Sequence, residues 1–227
     1  MHEAYFNWSS GKDSALALYH ALKGGEFTVQ TLFTAVSQEH GSIFMHETGP
    51  KLLARQAEAL GLPLRLFPFS PRWNSDEYAA AMREQVNALK AQGIDTALYG
   101  DLWLEGQRQR REEQCRRLGL RAAFPLWGRK PAELLREFFD LGFKAVLTCV
   151  DESALPREFL GETLRPELIA AFPAGTDLCG ENGEYHSFVF DGPVFRHPVA
   201  FRPQERFSRE YPTPGGGTRR FSFLRLL

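Results

Sequence analysis

Ala4-Tyr5-Phe6-Asn7-Trp8 reads as a strand, and Ser9-Ser10-Gly11-Lys12-Asp13-Ser14 turns it into the helical run Ala15 to Leu22. Small residues at a strand-to-helix turn let backbone N–H groups face outward beside a helix N-terminus, which makes an anion site. Lys12 adds a mobile positive charge, and the serine hydroxyls add donors. The stretch is not a Walker A loop, G-x-x-x-x-G-K-[ST]. Lys12 is followed by Asp13, and Phe6 stands where that motif needs its first Gly. Read alone, the six residues also fit a plain helix start with a serine cap and an exposed lysine. The flanking strand and helix favour the phosphate site.

Working outward, strand and helix signals alternate. Strands are expected at Ala4–Trp8, Val29–Val36, Leu64–Pro68, Thr96–Tyr99 and Arg121–Phe124, and helices at Asp13–Leu22, Pro50–Leu60, Ser75–Gln92 and Gln107–Leu118. Thr48 caps the second helix, with Pro50 in its first turn. Asn74 with Glu77 forms a capping pair for the third. Gly61, Gly93 and Gly119 stop their helices. The order predicts an α/β fold with a parallel five-stranded sheet and right-handed crossovers. Ligands in such sheets sit beyond the carboxyl ends of the strands. That places the 9–13 turn, Ser37–Glu47 and Gly100–Asp101 on one rim. From Pro125 onward the pattern shortens. A helix at Pro131–Leu141 and a strand at Ala145–Val150 read as one more unit of the same kind. Val189–Phe190, Val199–Phe201 and Phe221–Leu227 read as further strands, and Thr213–Thr218 as a flexible glycine loop. The expected division is 1–125, holding nucleotide, and a smaller α/β domain at 126–227.

The bulk numbers exclude several classes. The 227 residues carry a net charge of −1, with 43% hydrophobic and 24% charged residues. No global positive field is present to hold nucleic acid by counterion release. No apolar run approaches the ~18 residues of a membrane span. The N-terminus lacks the basic and apolar regions of a signal peptide. Cys115, Cys149 and Cys179 form no C-x-x-C pair, which argues against a disulfide framework and a structural zinc site. Buried, inert thiols are the favoured reading, and the cytoplasm is the expected location.

Three stretches carry chemistry. In the first, Asp13 either fixes the loop or helps hold Mg²⁺, and Ser14 contacts phosphate. In the second, Gly100 and Asp101 stand on the same rim, where a carboxylate can bind Mg²⁺ or nucleotide; a helix cap is the plainer reading of Asp101. The helix that follows is rich in arginine. Pairs such as Arg108–Glu112 suit a solvated face, but Arg108 and Arg111 lie nearest the rim and are expected to meet substrate. In the third, Cys179-Gly180-Glu181-Asn182-Gly183-Glu184-Tyr185-His186-Ser187, then Asp191-Gly192-Pro193, has a composition foreign to a core. Gly180 and Gly183 permit tight turns. Glu184 and His186 alternate into a strand, so both are expected on one face, as a proton-transfer pair or an amine site. A polar hairpin is the plainer reading. His46, in the loop after the second strand, either approaches the nucleotide or lies on the surface.

The loop Ser9–Ser14 resembles the S-G-G-x-D-S loop of the PP-loop ATP pyrophosphatases, with Ser10 in place of the first Gly. Together with G-D-L-W-L-E at 100–105, Q-R-x-x-R-E-E-x-C, F-P-L-W at 124–127 and C-G-E-N-G-E-Y-H-S-F-V-F-D-G-P at 179–193, it resembles the diphthine–ammonia ligase family. The likeness runs from Ala4 to Phe195. It implies a HUP-type nucleotide domain, a cofactor set of ATP and Mg²⁺, and amidation of diphthine on elongation factor 2. In that reaction a carboxylate attacks the α-phosphorus, pyrophosphate leaves, and ammonia displaces AMP from the acyl-adenylate. Ser9, Gly11, Lys12, Asp13 and Ser14 match the PP-loop; with Ser10, and with His46, Gly100 and Asp101 on the same rim, they are the expected nucleotide contacts. Glu181, Glu184, His186 and Asp191 match the family's polar C-terminal motif, and acceptor contacts are expected at Glu181, Asn182, Glu184 and Asp191, joined by Arg108 and Arg111. Catalysis falls to Lys12, Asp13, Glu184 and His186. The 100–105 stretch and the Met45-His46 loop look closer to bacterial relatives; because bacteria lack diphthamide, a bacterial chain would use another acceptor acid. A homodimer is left open. Two other readings stand beside the ligase. A tRNA-thiolating enzyme needs a basic surface and paired cysteines, and a nucleotide sensor needs no intact Lys12-Asp13-Ser14.

Overall fold

The computed structural model describes residues 1–213 and 216–227. The first half is one parallel sheet of β1 (His2–Asn7), β2 (Phe27–Ser37), β3 (Leu64–Phe69), β4 (Thr96–Leu98) and β5 (Arg121–Ala123). Its crossovers run through α1 (Lys12–Lys23), α2 (Pro50–Leu60), α3 (Ser75–Lys90) and α4 (Glu105–Leu118). The strand order is β3-β2-β1-β4-β5. The chain therefore grows outward from β1 in one direction, then returns to grow in the other. Such a reversal opens a crevice beyond the carboxyl ends of the two central strands, here β1 and β4. The turns that leave them are Trp8–Gly11 and Tyr99–Asp101.

Both faces of this sheet are covered, which is why β1 reads as a continuous apolar run. Ala4, Phe6 and Trp8 pack with α1 and α2, while Tyr5, Phe33 and Ala97 pack with Met82, Val86 and Leu89 of α3 and Cys115 of α4. Local signals set the helix ends. The Asn74 side chain accepts from the N–H groups of Asp76 and Glu77, and the Glu77 carboxylate accepts from the Asn74 N–H. Gly61 and Gly119 end α2 and α4 in left-handed backbone, φ 68° at each. Thr48 does not cap α2. Gly49 holds that position, and the Thr48 hydroxyl is bonded to Ser10 instead.

The second half adds α5 (Pro131–Asp140), β6 (Lys144–Asp151), α6 (Pro166–Ala170), β7 (Tyr185–Asp191), β8 (Pro203–Pro212) and β9 (Thr218–Leu226). These four strands form a separate sheet in the order β7-β6-β9-β8, antiparallel at every pairing. The α5–β6 piece therefore does not extend the parallel sheet; β6 founds a new one. Val199–Phe201 is not a strand, and the strand lies just after it, at Pro203–Pro212. Its first four residues are exposed, so no apolar alternation announced it. Within the expected loop at Thr213–Thr218, Pro214 and Gly215 lie outside the described residues. One apolar cluster includes Ala15 and Leu16 of α1, Leu134, Leu135 and Phe138 of α5, Val146 of β6 and Phe188 of β7. The two sheets thus share a core. Among the described residues no helix is long and apolar enough to cross a membrane.

Candidate active site

At the reversal point lies a cavity of about 300 Å³, walled by the 9–14 turn, by Gly100 and Asp101, and by the 179–187 stretch of the second sheet. A helix start leaves its first N–H groups without intrahelical partners. In α1, the Gly11 N–H is taken by Ser9 Oγ at 3.4 Å and the Lys12 N–H by Ser187 Oγ at 3.2 Å. The N–H groups of Asp13 and Ser14 follow with no intrahelical carbonyl to meet, and the macrodipole adds about half a positive charge there. Gly100 is needed for this packing. A Cβ on it would stand 3.1–3.2 Å from backbone atoms of Asp13 and Ser14.

Lys12 is fixed rather than mobile. Its side chain is 3% exposed, and Nζ donates to both Asp13 carboxylate oxygens at 2.9 and 2.7 Å and to the Cys179 carbonyl at 2.5 Å. Burial opposes its charge, yet the Asp13 carboxylate and its neighbours hold the ammonium well above its ordinary pKa. The Tyr185 ring lies 5.1 Å from Nζ. A charged lysine with its length already ordered costs no reorganisation when negative charge develops beside it.

Ser10, the departure from the PP-loop pattern, has a left-handed backbone with φ 71°. Gly reaches this region freely; a side chain costs about 1–2 kcal/mol there. Buried bonds offset that cost. Ser10 Oγ pairs with Thr48 Oγ1 at 2.8 Å, and its carbonyl accepts from the Val189 N–H at 2.9 Å and from Gln56 Nε2 at 3.2 Å. Gln56, fully buried, also donates to the Val189 carbonyl and accepts from Trp8 Nε1. It therefore ties β1, the loop and β7 together. Sequence reading passed over Gln56. The available signal was a glutamine on the apolar stripe Leu52, Leu53, Gln56, Ala57, Leu60.

The 177–184 turn forms the opposite wall. Asp177 accepts from the N–H groups of Cys179 and Glu181. Gly180 and Gly183 hold φ 72° and 88°, and a Cβ on Gly180 would strike the Tyr185 ring at 2.9 Å. Glu184 is buried and turned into the loop. Its carboxylate accepts from Asp177 N–H, Asn182 N–H and Asn182 Nδ2. It precedes β7 by one residue, so strand alternation does not pair it with His186. Glu181 does face the cavity, with Oε1 accepting from the Leu102 N–H at 3.0 Å. Desolvation, aided by repulsion from Asp13 and Asp101, pushes its carboxyl up to about 7.

Two histidines meet at the same wall. The rings of His46 and His186 lie 4.5 Å apart, centre to centre. His46 Nδ1 lies 3.4 Å from the Ser187 carbonyl. A neutral ring can bond that carbonyl only as donor, which leaves Nε2 with a free lone pair. Burial lowers His46 to about 4 and His186 well below its ordinary value, with nearby Lys12 adding to both shifts. Both rings are therefore neutral bases at pH 7.

Asp101 is held by Gln107 Nε2 and stands 3.8 Å from Arg111 Nε. Arg111 covers the Tyr99 ring at 5.0 Å, and its buried Nε has no hydrogen-bond partner among the described residues. Arg111 also borders a neighbouring hollow of about 200 Å³ lined by Tyr5, Trp8, Phe33, Tyr78 and Tyr99. Aromatic walls opening onto a phosphate-type loop suit a planar base.

The cavity thus gathers Ser9, Gly11, Lys12, Asp13, Ser14, His46, Gly100, Asp101, Arg111, Glu181 and His186. It leaves out Ser10, which lies buried behind the loop, and Asn182 and Glu184, which build the turn. Arg108 points elsewhere. It pairs with Glu112 at 2.7 Å and covers the Trp127 ring at 4.8 Å. Asp191 is paired with Lys144 at 2.9 Å, outside the cavity. Among the described residues no cluster of three metal-ligating side chains occurs. All three thiols are buried, and desolvation raises each of them, Cys179 to about 12.

Residues 2–122 match the diphthamide synthase N-terminal domain, and residues 130–211 match the diphthamide synthase C-terminal domain. The zebrafish (Danio rerio) diphthine–ammonia ligase is 30% identical over 213 residues, covering 84% of this chain and 83% of the relative. The human enzyme of that name is 28% identical, covering 84% and 79%. Among solved structures, the U34-tRNA thiolase NcsA of Methanococcus maripaludis aligns with a TM-score of 0.39 at 14% identity, over 62% of this chain and 58% of its own. With both of its domain models matched in order, the chain belongs to the diphthamide synthase family.

Proposed function

We propose that the chain is an AMP-forming carboxylate–ammonia ligase, with ATP held by residues 1–125 and the acceptor and ammonia met by residues 126–227. One observation carries this reading. An α1 N-terminus with a fixed, charged Lys12 and a pair of neutral imidazoles line the same cavity. The first set suits a departing pyrophosphate, and the second suits an amine that must lose a proton.

In this reading the base lies in the aromatic hollow, and Arg111, with its unpartnered Nε, meets phosphate. An acceptor carboxylate oxygen attacks the α-phosphorus as the bond to pyrophosphate breaks. Lys12 and the Asp13 and Ser14 N–H groups hold the leaving charge. The ammonia nitrogen then bonds to the acyl carbon, AMP leaves with the bonding pair, and the surplus proton passes to the His186 ring. The donor set fits magnesium, which takes one or two carboxylates and keeps phosphate and water as its other ligands. Asp13, with Asp101 nearby, would hold that ion, which would neutralise phosphate charge. The named relatives point to diphthine, a carboxylate carried on a protein, as the acceptor.

The test is incubation with α-labelled ATP, magnesium, ammonium and extract of the source cells. AMP that depends on both acceptor and ammonium is expected. Mainly ADP, or AMP formed without regard to ammonium, would overturn the reading.

A further inference from the structure

His46 reaches the cavity on an unusual backbone. Met45 and Glu47, on either side of it, hold φ 63° and 55°, a region that residues with a Cβ seldom enter. No glycine eases this loop, so something outside it must hold the conformation. Each neighbour of His46 is anchored in the second sheet. Phe44 meets the Tyr211 ring of β8 edge-on at 5.6 Å. Met45 packs on the cluster of Cys149, Phe221 and Phe223. The Glu47 side chain is 3% exposed, and its carboxylate meets Arg209 of β8 at 2.5 Å and Arg225 of β9 at 4.0 Å. A buried carboxylate with two cations from one hairpin is a specific clamp, since losing either partner type strands a charge.

We infer that Glu47, gripped by Arg209 and Arg225, is a positioning residue: the β8–β9 hairpin clamps the 44–47 loop and so seats the His46 ring against His186. Around His46 the charged and titratable groups are Lys12 of α1 and His186 of β7. Around Glu47 they are the two arginines and the Cys149 thiol of β6. The His46 ring therefore reports on the clamp without any turnover, whatever reaction the cavity performs.

The experiment is an NMR titration of the histidine rings in the full chain, with melting curves on the same samples. In the wild type the His46 ring is expected to stay neutral down to about pH 4. In Glu47→Gln and in Arg209→Ala the freed ring is expected to titrate near the ordinary value of about 6.5, with the exposed His197 unmoved. Arg209→Lys, which keeps the charge, is expected to keep His46 low. If Arg209→Ala does not fold, Glu47→Gln, which keeps the side-chain volume, carries the test. A folded Glu47→Gln whose His46 titrates as in the wild type overturns the inference. So does an Arg209→Lys that releases His46 as fully as Arg209→Ala.

Discussion

The turns at 9–14 and 177–184 face each other across one cavity and are both crowded with polar residues, but they use them differently. The first turn commits the Gly11 and Lys12 N–H groups to serine hydroxyls and keeps two backbone donors in reserve. Its lysine is held in place, and the N–H groups of Asp13 and Ser14 face no intrahelical carbonyl. The second turn consumes most of its own polarity. Asp177 and Glu184 bind the turn's N–H groups, leaving Glu181 and the following His186 for the cavity. A count of carboxylates in a motif therefore overstates its chemistry. The carboxylates taken up by the motif's own backbone have to be subtracted first.

The largest expected effect tests the first turn. Lys12→Ala should lower the rate of AMP formation by roughly 10²-fold or more, as loss of a preorganised donor does; a steady-state rate near wild type would remove Lys12 from the reaction. Gly100→Ala should come next. Its Cβ would press on rigid backbone at the α1 start, and a shift of even part of an ångström should reduce kcat/KM for ATP about 10-fold.

The second turn offers sharper contrasts. Glu184→Gln places an amide where three donors converge, so it should cost roughly 1–3 kcal/mol in a denaturant melt. It should also lower AMP formation and ammonia incorporation together, whereas a selective loss of the ammonia step would return Glu184 to the chemistry. Glu181→Gln should do the reverse to stability. The Glu181 carboxyl is pushed up to about 7, so between its unfolded value near pH 4.5 and pH 7 the unfolded chain ionises first. Stability is lost as pH rises through that window. Removing the charge should raise stability by about 3 kcal/mol at pH 8 and leave it unchanged at pH 4, as read from melts at the two pH values. Ser10→Gly should have the smallest effect, within about 1 kcal/mol, because relief of the left-handed backbone is set against the lost bond to Thr48.

The parallel sheet was legible because its signals are local. The Asn74–Glu77 cap, the stops at Gly61 and Gly119 and the switch from period two to period 3.6 each act within a few residues. The departure of β6 into another sheet was not legible. Ala145–Val150 is a fully buried strand in either setting, and its choice of partner depends on residues about 35 to 75 positions later. In the site, Lys12, Asp13, Asp101 and Glu181 were readable from their turns. Glu184 misled because alternation was extended one residue before β7 begins. Arg108 misled because nearness to a helix start does not fix direction, and the Phe124 and Trp127 rings drew it away. Gln56 was missed, and Thr48 was given a cap that it does not make, because their partners lie across the fold.

The bonds from Ser187 and Val189 to the 9–14 turn order events during synthesis. A ribosome delivers the 9–14 turn almost first, but its partners in β7 arrive about 175 residues later. Until then Ser10 has Thr48 and Gln56 beside it, but its carbonyl lacks the Val189 N–H and the Lys12 N–H lacks the Ser187 hydroxyl. The earliest motif in the chain is thus completed among the last, and a nascent chain stalled before β7 would carry the loop in full while lacking the geometry to bind with it.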